Sequence, residues 1–137
     1  MTTREFINKN FGVTGNNKTC SSVLKDWNGN IFSYGYHYPL LIKVGDKVLR
    51  NVRGYSNTTA RHIQWSRDID AIDIRFERDF RVGNDAWNLK SAKSGKLKYI
   101  DGLKAQMESK KRKDTQVYRQ LEREYNEAVS NYERLGK

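Results

Sequence analysis

A chain of 137 residues with 36% apolar and 31% charged side chains lies in the size range of one folded core, and its eight Tyr, five Phe and three Trp supply the bulk to fill it. An excess of 26 Lys and Arg over 16 Asp and Glu leaves a formal charge of +10, which attracts polyanions and repels a second copy. One cysteine and two histidines exclude an internal disulfide and leave few ligands for a zinc site. No apolar run reaches the roughly 20 residues that span a bilayer, and the opening MTTREFINKN has no signal core. The expectation is a cytoplasmic protein, in a host cell, without cofactor or membrane partner.

Thr2-Thr3-Arg4-Glu5 has the spacing of a capping box, and Phe6, Ile7 and Phe11 follow at near-helical intervals before Gly12, which predicts a short helix. Gly15-Asn16-Asn17 breaks the chain. Val23 to Trp27 and Ile31 to Tyr36 flank Asn28-Gly29, the dipeptide suited to a type I′ turn, and predict a hairpin. After Pro39, Leu40 to Val44 and Val48 to Val52 flank Gly45-Asp46-Lys47 and predict a second hairpin that extends the first into a meander. Ser56 can cap a brief helix carrying Ala60, Ile63 and Trp65 towards Arg67.

Ile72, Ile74, Phe76, Phe80 and Val82 alternate with Asp73, Arg75, Glu77, Asp79 and Arg81, the pattern of a further half-buried strand. Gly83 to Gly95 turns to Asn, Ser, Lys and Gly and reads as a loop or hinge. Beyond it, Leu97, Ile100, Leu103 and Met107 form one helical stripe, and Tyr118, Leu121, Tyr125, Val129, Tyr132 and Leu135 another. The basic run Lys110-Lys111-Arg112-Lys113 separates them, so this is either one long helix or two that meet at Asp114 as an N-cap. The fold class is α+β: a small antiparallel sheet of two hairpins plus a further strand, short helices, and a long or hairpin-like helical segment. An α+β domain is expected over 1–95, with the helical segment over 96–137 packed on it or projecting from it.

Catalytic signals are weak. No serine lies in a G-x-S-x-G elbow, and no phosphate-cradling G-x-x-x-x-G-K-[ST] is present. Cys20 reads as a quiet thiol, and neither His37 nor His62 has a second histidine at metal spacing. Asp68, Asp70, Asp73, Glu77 and Asp79 form an acidic cluster of the kind that holds Mg²⁺ in nucleases. Strand alternation, however, sets Asp73, Glu77 and Asp79 on one face with Arg75 and Arg81, where the charges neutralise one another. No catalytic, metal or cofactor site is expected, and a metal-dependent nuclease is the enzymatic alternative.

The positive charge offers more. Arg50, Arg53, Arg61 and Arg67 are interleaved with Tyr55, His62 and Trp65, a combination that can hold phosphates and stack bases, although Tyr55 and Trp65 equally suit a core. Lys90, Lys93, Lys96 and Lys98 form a second group, and Lys110, Lys111, Arg112 and Lys113 a third, which attracts phosphate without reading sequence. Arg119 with Glu122 and Arg123 with Glu127 are spaced to pair across a helical turn on a solvated face. Tyr118, Tyr125 and Tyr132 recur every seven residues and, with Leu121, would make either the coiled-coil seam of a homo-oligomer or an intrachain contact.

Tyr34-Gly35-Tyr36-His37-Tyr38-Pro39-Leu40, followed by Tyr55-Ser56-Asn57-Thr58-Thr59-Ala60-Arg61-His62-Ile63, resembles a small uncharacterised domain of phage and plasmid proteins. The resemblance implies a mobile-element origin and assigns no residue a role. In that setting the charge leads to a non-enzymatic accessory protein that binds nucleic acid or a nucleic-acid–protein complex such as a CRISPR nuclease. One form would be an anti-CRISPR-like inhibitor of a host defence nuclease. A structural or assembly protein that oligomerises through the C-terminal helices is the alternative.

Overall fold

The computed structural model describes residues 1–33, 38–54, 56–75 and 84–136. It is an α+β fold, with six strands in one mostly antiparallel sheet and four α-helices. Its contacts group into two compact units, Met1–Asp73 and Ile74–Lys137. Among the described residues no helix is long and apolar enough to cross a membrane.

The first unit opens with α1 (Thr3–Asn10), started by the predicted capping box. Thr2 Oγ1 accepts the Glu5 N–H at 3.1 Å, while the Glu5 carboxylate takes the Thr2 N–H at 3.4 Å. Phe6 and Ile7 then join a core with Val23, Ile31, Tyr38, Leu40 and Leu41. The strands β1 (Lys18–Cys20), β2 (Val23–Lys25), β3 (Ile31–Ser33), β4 (Tyr38–Val44), β5 (Lys47–Asn51) and β6 (Ile72–Ile74) lie in the sheet in chain order. β1 was not expected: it is three residues long and mostly exposed, so it carries no alternation to read.

Both hairpins form, but the first does not use a type I′ turn. That turn needs positive φ at both central residues, and of Asn28 and Gly29 only Gly29 has it, at +82°. The cause is Asp26, whose Oδ1 accepts the N–H groups of Asn28 at 2.9 Å and Asn30 at 2.8 Å. The Gly29 N–H closes on the Asp26 carbonyl at 3.1 Å, making a loop of Trp27, Asn28 and Gly29. A side chain at Gly29 would come within 2.7 Å of the Gly12 backbone, so close approach as well as φ demands glycine there.

Beneath this loop lies Lys25, only 1% exposed, whose ammonium donates to the carbonyls of Val13 at 3.0 Å and Asp26 at 3.3 Å. Trp27, by contrast, stands 60% exposed at the tip. The second hairpin joins β4 to β5 through Gly45-Asp46, with Gly45 at φ +62° in the place a type II′ turn reserves for glycine. α2 (Asn57–Trp65) follows, its first turn held by Ser56 Oγ, which accepts the Thr59 N–H at 3.1 Å. A single 3₁₀ turn over Ser66–Asp68 then leads to β6, in which Ile72 and Ile74 are buried as the alternation predicts. The rest of that expected strand, Phe76 to Val82, lies outside the described residues, as do Tyr34 to His37, Tyr55 and Gly83.

In the second unit, the stretch read as a loop up to Gly95 is helical. α3 (Asp85–Ser109) starts at Asn84, whose side chain accepts the Trp87 N–H at 3.0 Å. The small residues that resembled loop composition, Ser91, Ala92 and Gly95, sit together with Asn88 at helical spacing and are buried. The charged break then resolves into two helices. α4 (Gln116–Leu135) is capped by Thr115, one residue after Asp114, with Thr115 Oγ1 accepting the Tyr118 N–H at 3.2 Å. α3 and α4 pack as a helical hairpin around Ile100, Leu103 and Ala128, with Tyr99, Leu121, Tyr125, Val129 and Tyr132 against them.

Candidate nucleic-acid interface

The arginines of the first unit do not make one open surface. Arg50, 4% exposed, donates from Nε to Ser66 Oγ at 3.0 Å, from Nη2 to the carbonyls of Ser66 at 2.9 Å and of Ile69, and from Nη1 to Asp73 Oδ1 at 2.9 Å. Arg67 reaches the other Asp73 oxygen at 2.5 Å. Burial pushes the Asp73 carboxyl up, but the hydrogen bonds and charges of Arg67 and Arg50 together outweigh it and hold the group below its ordinary value. The guanidinium of Arg50 is thus spent on tying β5 to the 3₁₀ turn and β6. Arg53 and Arg61 are exposed, the former just after β5 and the latter on α2.

His62 is buried in a hydrogen-bonded group. Its Nδ1 lies 2.8 Å from Ser33 Oγ, which is 3.1 Å from Thr59 Oγ1, and Thr59 Oγ1 in turn accepts from Ser56 Oγ at 3.1 Å. Ser33, Thr59 and His62 are sealed from solvent, while Ser56 at the end of this chain of hydroxyls is half-buried. The group locks the capped start of α2 onto β3. Burial lowers the imidazole pKa below 6.5.

Stability linked to His62 is therefore complete above pH 6.5 and declines as the pH falls from there towards the lower folded value, because only the unfolded chain takes up the proton. The contribution of Asp73, also depressed, persists to below pH 3.8. Urea unfolding of wild type should shift to lower midpoints between about pH 7 and about pH 5. The His62→Gln variant should lose most of that dependence; an unchanged dependence would assign it to other groups.

The acidic cluster is divided among arginines. Asp68 Oδ2 bonds Arg4 Nη2 at 2.8 Å and Asp73 is held as above, while Glu77 and Asp79 lie outside the described residues. Among the described residues no group of three or more His, Cys, Asp or Glu is placed to hold a metal ion. Cys20 is half-buried against the first core.

In the second unit the lysines of α3 are dispersed. Lys96 is buried with its ammonium 5.5 Å from the Tyr99 ring centroid, and Arg75 stacks on the same ring at 3.6 Å. Lys90 and Lys98 are exposed and Lys93 half-buried, with Lys90 lining a shallow recess beside Trp87, Ser91 and Ser94.

Lys110, Lys111, Arg112 and Lys113, all exposed, form the connection between α3 and α4. The side chains of Lys110 and Lys111 bond no described residue. Arg112 Nε is 3.5 Å from Asp114 Oδ1, a solvated pair of little energetic weight. Lys113 differs, since its ammonium donates to the Met107 carbonyl at 2.6 Å and lies 5.0 Å from the Tyr118 ring centroid. Along α4 four glutamates, Glu122, Glu124, Glu127 and Glu133, oppose three arginines, so the positive charge is concentrated at the turn. The spacing-based pairs of Arg119 and Arg123 do not form. Arg123 donates to Gln120 Oε1 at 2.5 Å, an amide one turn back that competes with an exposed ion pair worth only tenths of a kcal/mol.

Leu121, Tyr125 and Tyr132 face the α3 side of the hairpin, and Tyr118 lies half-buried under Lys113. Sequence reasoning missed Lys25 and the Ser33–His62 pair, whose partners are remote in sequence or are backbone atoms. No family model, curated protein or solved structure matches this chain.

Proposed function

We propose that this protein acts by binding, without chemistry of its own, and that it contacts phosphates of a nucleic acid or of a nucleic-acid–protein complex. The observation that carries this reading is the turn from Lys110 to Lys113: four consecutive exposed cations at the end of a packed helical hairpin, two of them with side chains that bond no described residue. Such a cluster in a chain of net charge +10 attracts a polyanion, and its binding energy comes largely from counterion release. The resemblance of residues 34–40 and 55–63 to a small uncharacterised domain of phage and plasmid proteins supports a mobile-element setting. There, occupation of the nucleic-acid path of a host defence nuclease would make it an inhibitor of the anti-CRISPR kind.

Immobilised protein, incubated with host lysate with and without nuclease treatment, tests the reading. Nucleic acid is expected in the untreated eluate. A defence nuclease that remains bound after digestion would direct the reading to the inhibitor form. An eluate free of both nucleic acid and nucleoprotein would contradict it.

A further inference from the structure

Building on the phosphate-binding reading, we propose a division of labour within the basic turn. Lys110, Lys111 and Arg112 contact the backbone phosphates of a double-stranded nucleic acid, and Lys113 is a positioning residue that presents them. The geometry separates the two roles. The Lys113 ammonium is 2.6 Å from the Met107 carbonyl in the last turn of α3 and covers the Tyr118 ring in the first turn of α4. It therefore supplies the cation that α3 lacks at its C-terminal end, where the last helical turn has no basic residue. It also ties the two ends of the connection together. The side chains of Lys110 and Lys111 bond no described residue, and the Arg112 pair with Asp114 is solvated, so these three are available to a ligand.

The duplex is favoured by what surrounds the cations. Proteins that take single strands combine positive charge with aromatic faces on which bases stack. Residues 107–117 contain no aromatic side chain, Tyr118 is half-buried with Lys113 over its ring, and exposed Val117 has no ring to offer. The glutamates of α4 repel a strand that would run along it, which limits the contact to the turn and to phosphates.

Fluorescence anisotropy with a labelled mixed-sequence duplex of about 20 base pairs, over about 50 to about 200 mM salt, separates the roles. K110Q and K111Q should each reduce the steepness of log K against log salt by about 0.9. K113M should weaken binding roughly five-fold at a single salt concentration, as loss of one exposed hydrogen bond of ordinary strength would, without changing the slope. K113R, which keeps a donor, should restore affinity. A slope reduced in K113M by the same step as in K110Q overturns the positioning role and leaves the phosphate reading intact. A single strand bound as tightly as the duplex overturns the duplex assignment alone. Indifference of wild type to both nucleic acids at every salt concentration overturns this inference and the reading on which it rests.

Discussion

Replacing Arg50 with leucine is expected to lower the free energy of unfolding by about 3 kcal/mol, the lower end of the cost of breaking a buried ion pair, because Asp73 keeps Arg67. The volume stays similar, but the carbonyls of Ser66 and Ile69 and one oxygen of Asp73 lose their donor in a site where Arg50 is only 4% exposed. Arg67→Leu is the control. Its side chain is 43% exposed and Asp73 retains Arg50, so its cost should be about 1 kcal/mol or less. Urea denaturation followed by circular dichroism measures both. If Arg50→Leu kept wild-type stability yet lost affinity for nucleic acid, Arg50 would belong to the interface and not to the scaffold.

Tyr125→Asp is the second large effect. Tyr125 packs with Leu121, Val129 and Tyr132 against Ile100, Leu103 and Ala128, so a carboxylate there is placed in the seam of the α3–α4 hairpin without a partner. A loss of about 2 to 3 kcal/mol and of helical signal is expected, with no change in sedimentation at temperatures where the variant still folds. The seven-residue spacing of the tyrosines also fits an intermolecular seam. That alternative requires the reverse result: a wild-type oligomer that becomes a monomer with its helices intact.

These two residues show what sequence can reveal. The capping box of α1 was legible because all its atoms lie within Thr2 to Glu5, and each hairpin was legible from short apolar runs around glycine. The turn type at Asn28-Gly29 was not, since it is decided by the Asp26 carboxylate and by the approach of Gly12. Residues 85–95 read as loop because Ser, Asn and Gly are poor helix formers in isolation, whereas their burial at helical spacing is a tertiary effect that overrides propensity.

For the candidate interface the division is similar. The Lys110 to Lys113 run was visible as a contiguous break between two apolar stripes, and contiguity guaranteed that its charges would stay together. Arg50 and Arg67 are cations of the same kind but are held by Asp73, 23 residues from Arg50 and six from Arg67 across the 3₁₀ turn. Lys25 was invisible for a different reason, because carbonyls of Val13 and Asp26 hold its ammonium and backbone oxygens leave no mark in a sequence.

The most direct test of the account is the salt dependence of wild-type binding to a labelled duplex of arbitrary sequence. With three phosphate contacts, log K should fall linearly with log salt at a slope of about −2.7, and scrambling the sequence should leave affinity unchanged. Affinity that is insensitive to salt, or that follows base sequence at constant length, would contradict an interface built from the charges of the α3–α4 turn.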